Sequence, residues 1–452
     1  MTGTATLKLP ALVATGVGIV LSQCTMVTVL QLTGSGGPMV FVAMAVALLV
    51  SLCYASSFAE LSLMMPQAGG FARYTEVALG RFPAIVATFS GYVVVTVFGV
   101  SAELILVDAV MQHLWPRALP PMGFALAVLV AGAVLNLLGM EVFARLQTLL
   151  MVAKVASMAL LGLLALWGLG EAVDPAVAPT PAPAAPAGSP PFAALAPLVA
   201  ASIFAFMGAE YICPMIEQTD RPARSIPRAM FVTLLLSAAL YLVFCGGALL
   251  RLPAGVLSGS VLPHVALAEA VTGRTGSLLL CVAALSASVG LVSGVLAAVP
   301  RLLQGMARDG QALPVFQRTS ARFGSPYVGI LFLAGANAAV LIAFAGRPEA
   351  FMLLVLSATA CWFVAYIVMH LNVLVLRRRH PDWARPYRSP WFPVPQLFGG
   401  LAMLYCLFNL SPDPALTRVL YGGAGLVLLA VAAATALWLK GVLRVRLFER
   451  VL

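Results

Sequence analysis

The sequence predicts an all-α integral membrane protein of about twelve transmembrane helices. Three observations carry this. Of the 452 residues, 62% are hydrophobic and only 9% are charged, a balance no soluble globular domain shows. Apolar runs of roughly 20 residues, long enough to cross a bilayer as helix, recur along the whole length. The net charge of +10 is shared unevenly between the two sides. With the loops alternating from a cytoplasmic start, only Arg117, Arg251, Arg274, Arg347 and Arg418 fall outside, while Lys8, Arg73, Arg81, Arg145, Arg377, Lys440 and most other basic residues fall inside. That bias puts both termini in the cytoplasm of a cell (inner or plasma) membrane. The basic residues are thus topology determinants that suit anionic headgroups, and a nucleic-acid partner is excluded.

The first span, 9–34, is interrupted at Gly16-Val17-Gly18-Ile19-Val20-Leu21-Ser22-Gln23-Cys24-Thr25-Met26. No clear small-residue cleavage site follows its apolar core, so it reads as a span and not as a removed leader. Span two covers 38–60. Span three, 83–112, carries Glu103 deep in apolar sequence and Asp108 near the outer end, where solvent or Arg117 would satisfy it. Span four covers 121–140, and span five, 144–169, holds Lys154 far from any obvious loop. Residues 171–192 are dense in proline and alanine, which disfavours helix and marks an external linker without chemistry.

Span six, 193–218, is interrupted like span one and contains Phe206-Met207-Gly208-Ala209-Glu210-Tyr211-Ile212-Cys213-Pro214. A carboxylate at membrane depth is costly, so Glu210 is expected to face a cavity or a partner. Gly208 and Pro214 loosen the backbone beside it and free amides and carbonyls that a bound solute can satisfy. Span seven covers 226–250, a short external helix lies at 263–270, and span eight, 275–306, holds Ser286 and Ser288. Spans nine to twelve cover 327–346, 348–376 (with Trp362), 394–411 and 417–440.

Spans one and six hold the same place in two sets of five, about 9–170 and 193–376. An odd number of spans per set inverts the second copy, and paired interrupted spans are the best sequence pointer to a binding site. Spans eleven and twelve, about 394–440, are an addition, and residues 1–452 form one transmembrane domain.

The seven cysteines are scattered through the apolar spans without CxxC or Cys/His clustering, so they read as small core residues and not as zinc or disulfide sites. Gly-x-Ser-x-Gly, HExxH and Walker patterns are absent, which speaks against an enzyme, a cofactor and ATP drive. His113, His264, His370 and His380 fall at loops or helix ends and are expected to be mostly solvated.

Four stretches resemble the amino acid–polyamine–organocation superfamily of permeases. They are Phe206-Met207-Gly208-Ala209-Glu210 with Glu217-Gln218-Thr219-Asp220-Arg221-Pro222-Ala223-Arg224-Ser225-Ile226-Pro227-Arg228-Ala229, then Arg301-Leu302-Leu303-Gln304-Gly305-Met306-Ala307-Arg308-Asp309-Gly310-Gln311-Ala312-Leu313-Pro314, then Gly324-Ser325-Pro326, and Pro381-Asp382-Trp383-Ala384-Arg385-Pro386-Tyr387-Arg388-Ser389-Pro390. The resemblance implies the LeuT-like fold: a 5+5 inverted repeat with helices 1 and 6 broken, plus two extra helices. It also implies secondary transport of an amino acid or an amine such as a polyamine. The helix at 263–270 resembles that family's lid. The chain departs from the family where a Gly-Ser-Gly run normally receives a substrate carboxylate: it has Ser22-Gln23-Cys24, which narrows the space and puts an ordinary α-amino-acid pose in doubt.

The expected substrate-binding residues are Ser22, Gln23, Cys24, Thr25, Phe206, Gly208, Glu210 and Glu103. Glu103 and Glu210 facing one cavity would suit a distal amine, in a polyamine or a cationic amino acid; Glu103 in a vestibule or paired with a base is the alternative. Gln23 either binds a polar group of the solute or satisfies the broken backbone. Lys154 resembles the lysine that stands where sodium-coupled relatives hold a cation, implying proton coupling or exchange without sodium. Burial would let it cycle protons, and snorkelling near the cytoplasmic side is the alternative. Ser286 and Ser288 lie near the same locus or serve close packing. Tyr211 and Trp362 are expected gates, against the commoner roles of aromatics in packing and anchoring. Expected partners are the solute, protons and the lipid bilayer, with the chain a monomer or homodimer. Alternatives are a non-transporting solute sensor and a membrane-embedded lipid enzyme, which would need a polar interfacial cluster the chain lacks.

Overall fold

A computed structural model describes residues 7–66, 69–168, 191–345, 347, 350–411 and 414–448. The first span opens as α1 (Leu9–Val20), with a proline in its first turn where the missing N–H costs nothing. Helical geometry fails at Leu21, and Ser22 restarts the chain as N-cap of α2 (Gln23–Gly36), its hydroxyl accepting Thr25 N–H at 3.2 Å. The two half-helices meet at 54°.

α3 (Met39–Met64) follows, then α4 (Gly70–Leu79) and α5 (Arg81–Thr88), which runs through a π-turn at Phe89–Val94 into α6 (Val95–Leu114). α7 (Gly123–Leu137) begins where Asp108 waits for it. That carboxylate is buried and accepts the amides of Met122, Phe124 and Ala125 at 3.0–3.4 Å. The expectation that solvent or Arg117 satisfies Asp108 is therefore corrected: the orphan donors of a helix start reach it first. α8 (Met140–Leu166) completes the first set. Residues 169–190, which include nearly all of the expected linker, lie outside the described residues, and Pro191 already begins α9 (Pro191–Phe204).

After Phe204 the chain turns through Gly208, at φ 111°, and resumes as a tighter 3₁₀ segment, Ala209–Gln218. Pro214 within it lacks the N–H a regular α-helix would use. Then come α10 (Pro222–Arg251), the short α11 (Ala254–Gly259) and α12 (Pro263–Thr272), α13 (Arg274–Arg308), α14 (Tyr327–Ala343), α15 (Ala350–Arg379), α16 (Val394–Leu407) and α17 (Pro414–Leu437).

Among the described residues, eight helices are long and apolar enough to cross a membrane and the α1–α2 pair makes a ninth. Three shorter apolar helices, α7, α14 and α16, lie where the sequence places spans four, nine and eleven. α1 sits at the centre, packed on α8, α10, α13 and the 3₁₀ segment. The span that includes α17 has only 17% of its apolar window buried, against 72% for that of α13, so it belongs to the lipid-facing rim. The two interrupted spans are tied at one end: Leu7 N–H donates to Gln218 at 2.6 Å, and Asp220 N–H to Leu7 at 2.9 Å.

Two histidines differ from expectation. His264 and His370 are buried, because neighbouring helices cover positions that look terminal in sequence. Burial pushes His264, on α12, down to about 3, so it is neutral at physiological pH.

α12 lies against α13 at Gly276, where an added Cβ would stand 1.9 Å from the Ala268 carbonyl oxygen. Gly276→Ala is expected to cost about 1–3 kcal/mol by overpacking and to loosen α12. The measurements are thermal denaturation in detergent and limited proteolysis between 259 and 273. An unchanged melting point and cleavage pattern would refute this contact.

Candidate functional site

The break in span one gathers two buried charges. At the N-terminal end of α2, Gln23 N–H donates to Glu103 Oε1 and Cys24 N–H to Glu103 Oε2, both at 2.8 Å. The Ser288 hydroxyl on α13 donates to Glu103 Oε1 at 2.8 Å. A helix N-terminus offers free amides and positive potential, so an anion is the natural occupant. At the opposite side of the break, Lys154 Nζ on α8 donates to the carbonyls of Gly18 (2.9 Å) and Leu21 (2.8 Å). Those carbonyls close the C-terminal end of α1, where the dipole favours a cation. Lys154 is 1% exposed and does not snorkel, and Glu103 is near enough to attract its ammonium.

The two breaks are joined through tyrosines. The Tyr241 hydroxyl on α10 lies 3.2 Å from Val20 O and 2.9 Å from Ala205 O, and with one proton serves one carbonyl at a time. The Tyr54 hydroxyl donates to Phe206 O at 2.6 Å. Glu210 is fully buried; Oε2 accepts its neighbour Gly208 N–H at 3.1 Å, while Oε1 has no partner. The Tyr366 hydroxyl and Trp362 indole lie near this carboxylate, and neither polar atom makes a hydrogen bond. Rings pack around it in pairs: Tyr54–Tyr366 at 4.6 Å, Tyr92–Tyr211 at 5.0 Å and Tyr211–Trp362 at 6.2 Å between centroids.

Between the breaks lies a cavity of about 30 Å³, room for a single water-sized group. Of the residues expected from sequence, Ser22, Cys24, Thr25, Tyr211 and Trp362 line it. Gln23, Phe206, Gly208, Glu210 and Glu103 do not line it. The expectation that Glu103 and Glu210 face one cavity does not match this geometry, because packing delivers Glu103 to the α2 amides instead. The Gln23 side chain is buried with neither polar atom partnered, and Phe206 stacks edge-on against Tyr241 at 5.5 Å. Ser288 joins the Glu103–Lys154 locus, and Ser286 is buried on the same helix. Sequence reasoning missed Tyr54, Tyr241 and Tyr366. Their signal is placement at mid-span, where a hydroxyl needs a partner, rather than at the interface where tyrosine usually anchors.

The resemblance-bearing loops build clamps away from the cavity. Glu60 on α3 accepts Arg377 (2.8 and 2.6 Å) and Ser389 N–H (2.7 Å), with Arg385 at 3.5 Å. Glu76 on α4 accepts Arg81 (2.6 Å) and Gln311 (2.7 Å). Among the described residues no three His, Cys, Asp or Glu side chains converge as a metal site.

A family model described as amino acid permease matches residues 7–432. The branched-chain amino acid permease BcaP of Bacillus subtilis is 24% identical over 45% of this chain and 42% of that protein, so the chain spans less than half of that relative's length. The serine/threonine exchanger SteT of the same organism is 25% identical over 76% of each. A crystal structure of the Eremococcus coleocola manganese transporter superposes with a TM-score of 0.59, covering 96% of this chain and 94% of that one, at 16% identity. At that identity the likeness is one of fold.

Proposed function

This chain belongs to the amino acid permease family, within the amino acid–polyamine–organocation superfamily, and on that footing we propose that it is a secondary transporter of an amine-bearing solute, an amino acid or an amine such as a polyamine. The observation that carries the proposal is the meeting of both interrupted spans at one buried cavity. Irregular backbone at membrane depth is tolerated where it lines such a site, and rocking around it gives alternating access. Tyr211 and Trp362, which stand at the cavity wall, act as gates. Both termini face the cytoplasm of the cell membrane, as the basic loops favour.

Coupling is by protons, or absent in an exchanger, and not by sodium. Lys154 supports this: an ammonium already holds the Gly18 and Leu21 carbonyls, and a sodium ion there would meet a like charge. The test is uptake of labelled amino acids and polyamines into proteoliposomes, with and without a proton gradient, sodium being replaced by choline. Uptake is expected without sodium, and Glu210→Gln is expected to lower it at least tenfold. Sodium-dependent uptake would overturn the coupling, and unchanged uptake by Glu210→Gln would remove that residue from the site. Binding without counterflow would favour a sensor instead.

A further inference from the structure

Resting on that transporter reading, we infer that the cargo is a monocationic amine without a free α-carboxylate, because the chain's own Glu103 occupies the helix-end amides that a cargo carboxylate would use. The two leading amides of α2 are each 2.8 Å from a Glu103 oxygen, and Ser288 adds a third donor to the same group. A cargo carboxylate would compete for those N–H groups and meet a negative charge in a space closed to water. On the other side of the break, Lys154 holds the Gly18 and Leu21 carbonyls, while Val20 O faces the hydroxyls of Thr25 (3.0 Å) and Tyr241 (3.2 Å). The break thus holds an internal carboxylate on the amides that a cargo carboxylate would take, with Lys154 standing at the coupling-ion position.

What remains is one acid. Glu210 is buried, its Oε1 lacks a partner, and the unpartnered Trp362 indole and Tyr366 hydroxyl stand beside it. With Glu103 and Lys154 cancelling, the site carries one uncompensated negative charge when Glu210 is ionised, and one cation balances it. Phe204, Tyr211 and Trp362 line the cavity, and aromatic rings around an ammonium are favourable partners for it. The rest of the lining is mostly apolar, with Val95, Val100 and Leu291 beside the neutral Ser22, Thr25 and Thr96, and it holds no charged side chain. A second ammonium on the cargo would be driven against that wall, so a monoamine is preferred to a diamine. The contracted cavity opens as the ring walls part to admit it.

The experiment uses the full chain in detergent and compares matched pairs by thermal shift and by competition for uptake: isoamylamine with leucine, phenethylamine with phenylalanine, cadaverine with lysine. A ligand that binds only the folded state raises the melting point, and at equal concentration the tighter binder raises it more. Each monoamine is expected to act at a concentration at least tenfold lower than its parent amino acid, and cadaverine to be weaker than isoamylamine. Glu103→Ala frees the two amides and is expected to reverse the leucine–isoamylamine order. If that variant does not fold, the wild-type ratios decide alone. Leucine or phenylalanine binding as tightly as its amine overturns the inference and leaves the transporter reading standing, as does a folded Glu103→Ala protein that keeps the wild-type order. No response to any compound sinks both.

Discussion

Replacing Lys154 with alanine is expected to abolish uptake and to lower thermal stability at the same time. The ammonium is buried and makes two hydrogen bonds to the end of α1. Removing it leaves the Gly18 and Leu21 carbonyls without that donor and Glu103 without its opposite charge. Losing that buried donor leaves enclosed carbonyls short of a hydrogen bond, at about 1–3 kcal/mol each. Lys154→Arg keeps the charge but brings a planar fork into a space shaped for a compact ammonium. It is expected to regain part of the stability and little of the uptake. Paired removal, Lys154→Met with Glu103→Gln, is expected to be more stable than Lys154→Met alone, since no charge is then left uncompensated. Melting curves in detergent and sodium-free proteoliposome uptake read the two effects separately. Full uptake by Lys154→Ala would show that the contact with α1 has no part in transport.

Gly208→Ala is expected to have a comparable effect by a different route. Gly208 sits at φ 111°, a backbone region that side-chain-bearing residues rarely enter. Holding alanine there costs of order 1–3 kcal/mol. The new Cβ would also lie 2.6 Å from Ile19 Cγ2, on the half-helix that forms the other break. Ile19 cannot retreat freely, because it abuts Gly294 on α13, where an added Cβ would be 2.8 Å from its Cγ1. The strain therefore falls on the junction of the two interrupted spans. Adding Ile19→Ala is expected to restore part of the melting point, through relief of the overlap, and to leave the backbone cost in place. Complete recovery in the double variant would show that crowding alone, and not the left-handed backbone, makes glycine necessary.

Much of this architecture was legible in the chain. The apolar runs found the helices, since a segment must satisfy its own backbone in lipid and its length follows from bilayer thickness. Gly208, Glu210 and Pro214 marked the break in span six because each is costly inside an apolar helix. Ser22 marked the break in span one, though it acts there as a helix cap. Less was legible where the partner is remote in sequence. Asp108 is close to Arg117, yet the amides of α7 hold it. His264 and His370 look terminal and are enclosed by packing. Tyr241, which joins both breaks, has no motif around it and shows only as a hydroxyl at mid-span.

The sequence by itself determined that the chain is a helical membrane protein of the permease kind, with long apolar helices recurring along its length. Those properties are local sums over neighbouring residues. Only the tertiary structure decided what each buried charge touches. Glu103 meets amides 79 and 80 positions away, and Lys154 meets carbonyls 133 and 136 positions away. No local pattern encodes such pairings. They depend on which helices abut and how each is rotated, and in an apolar medium a charge settles on the unsatisfied helix end that packing brings within reach.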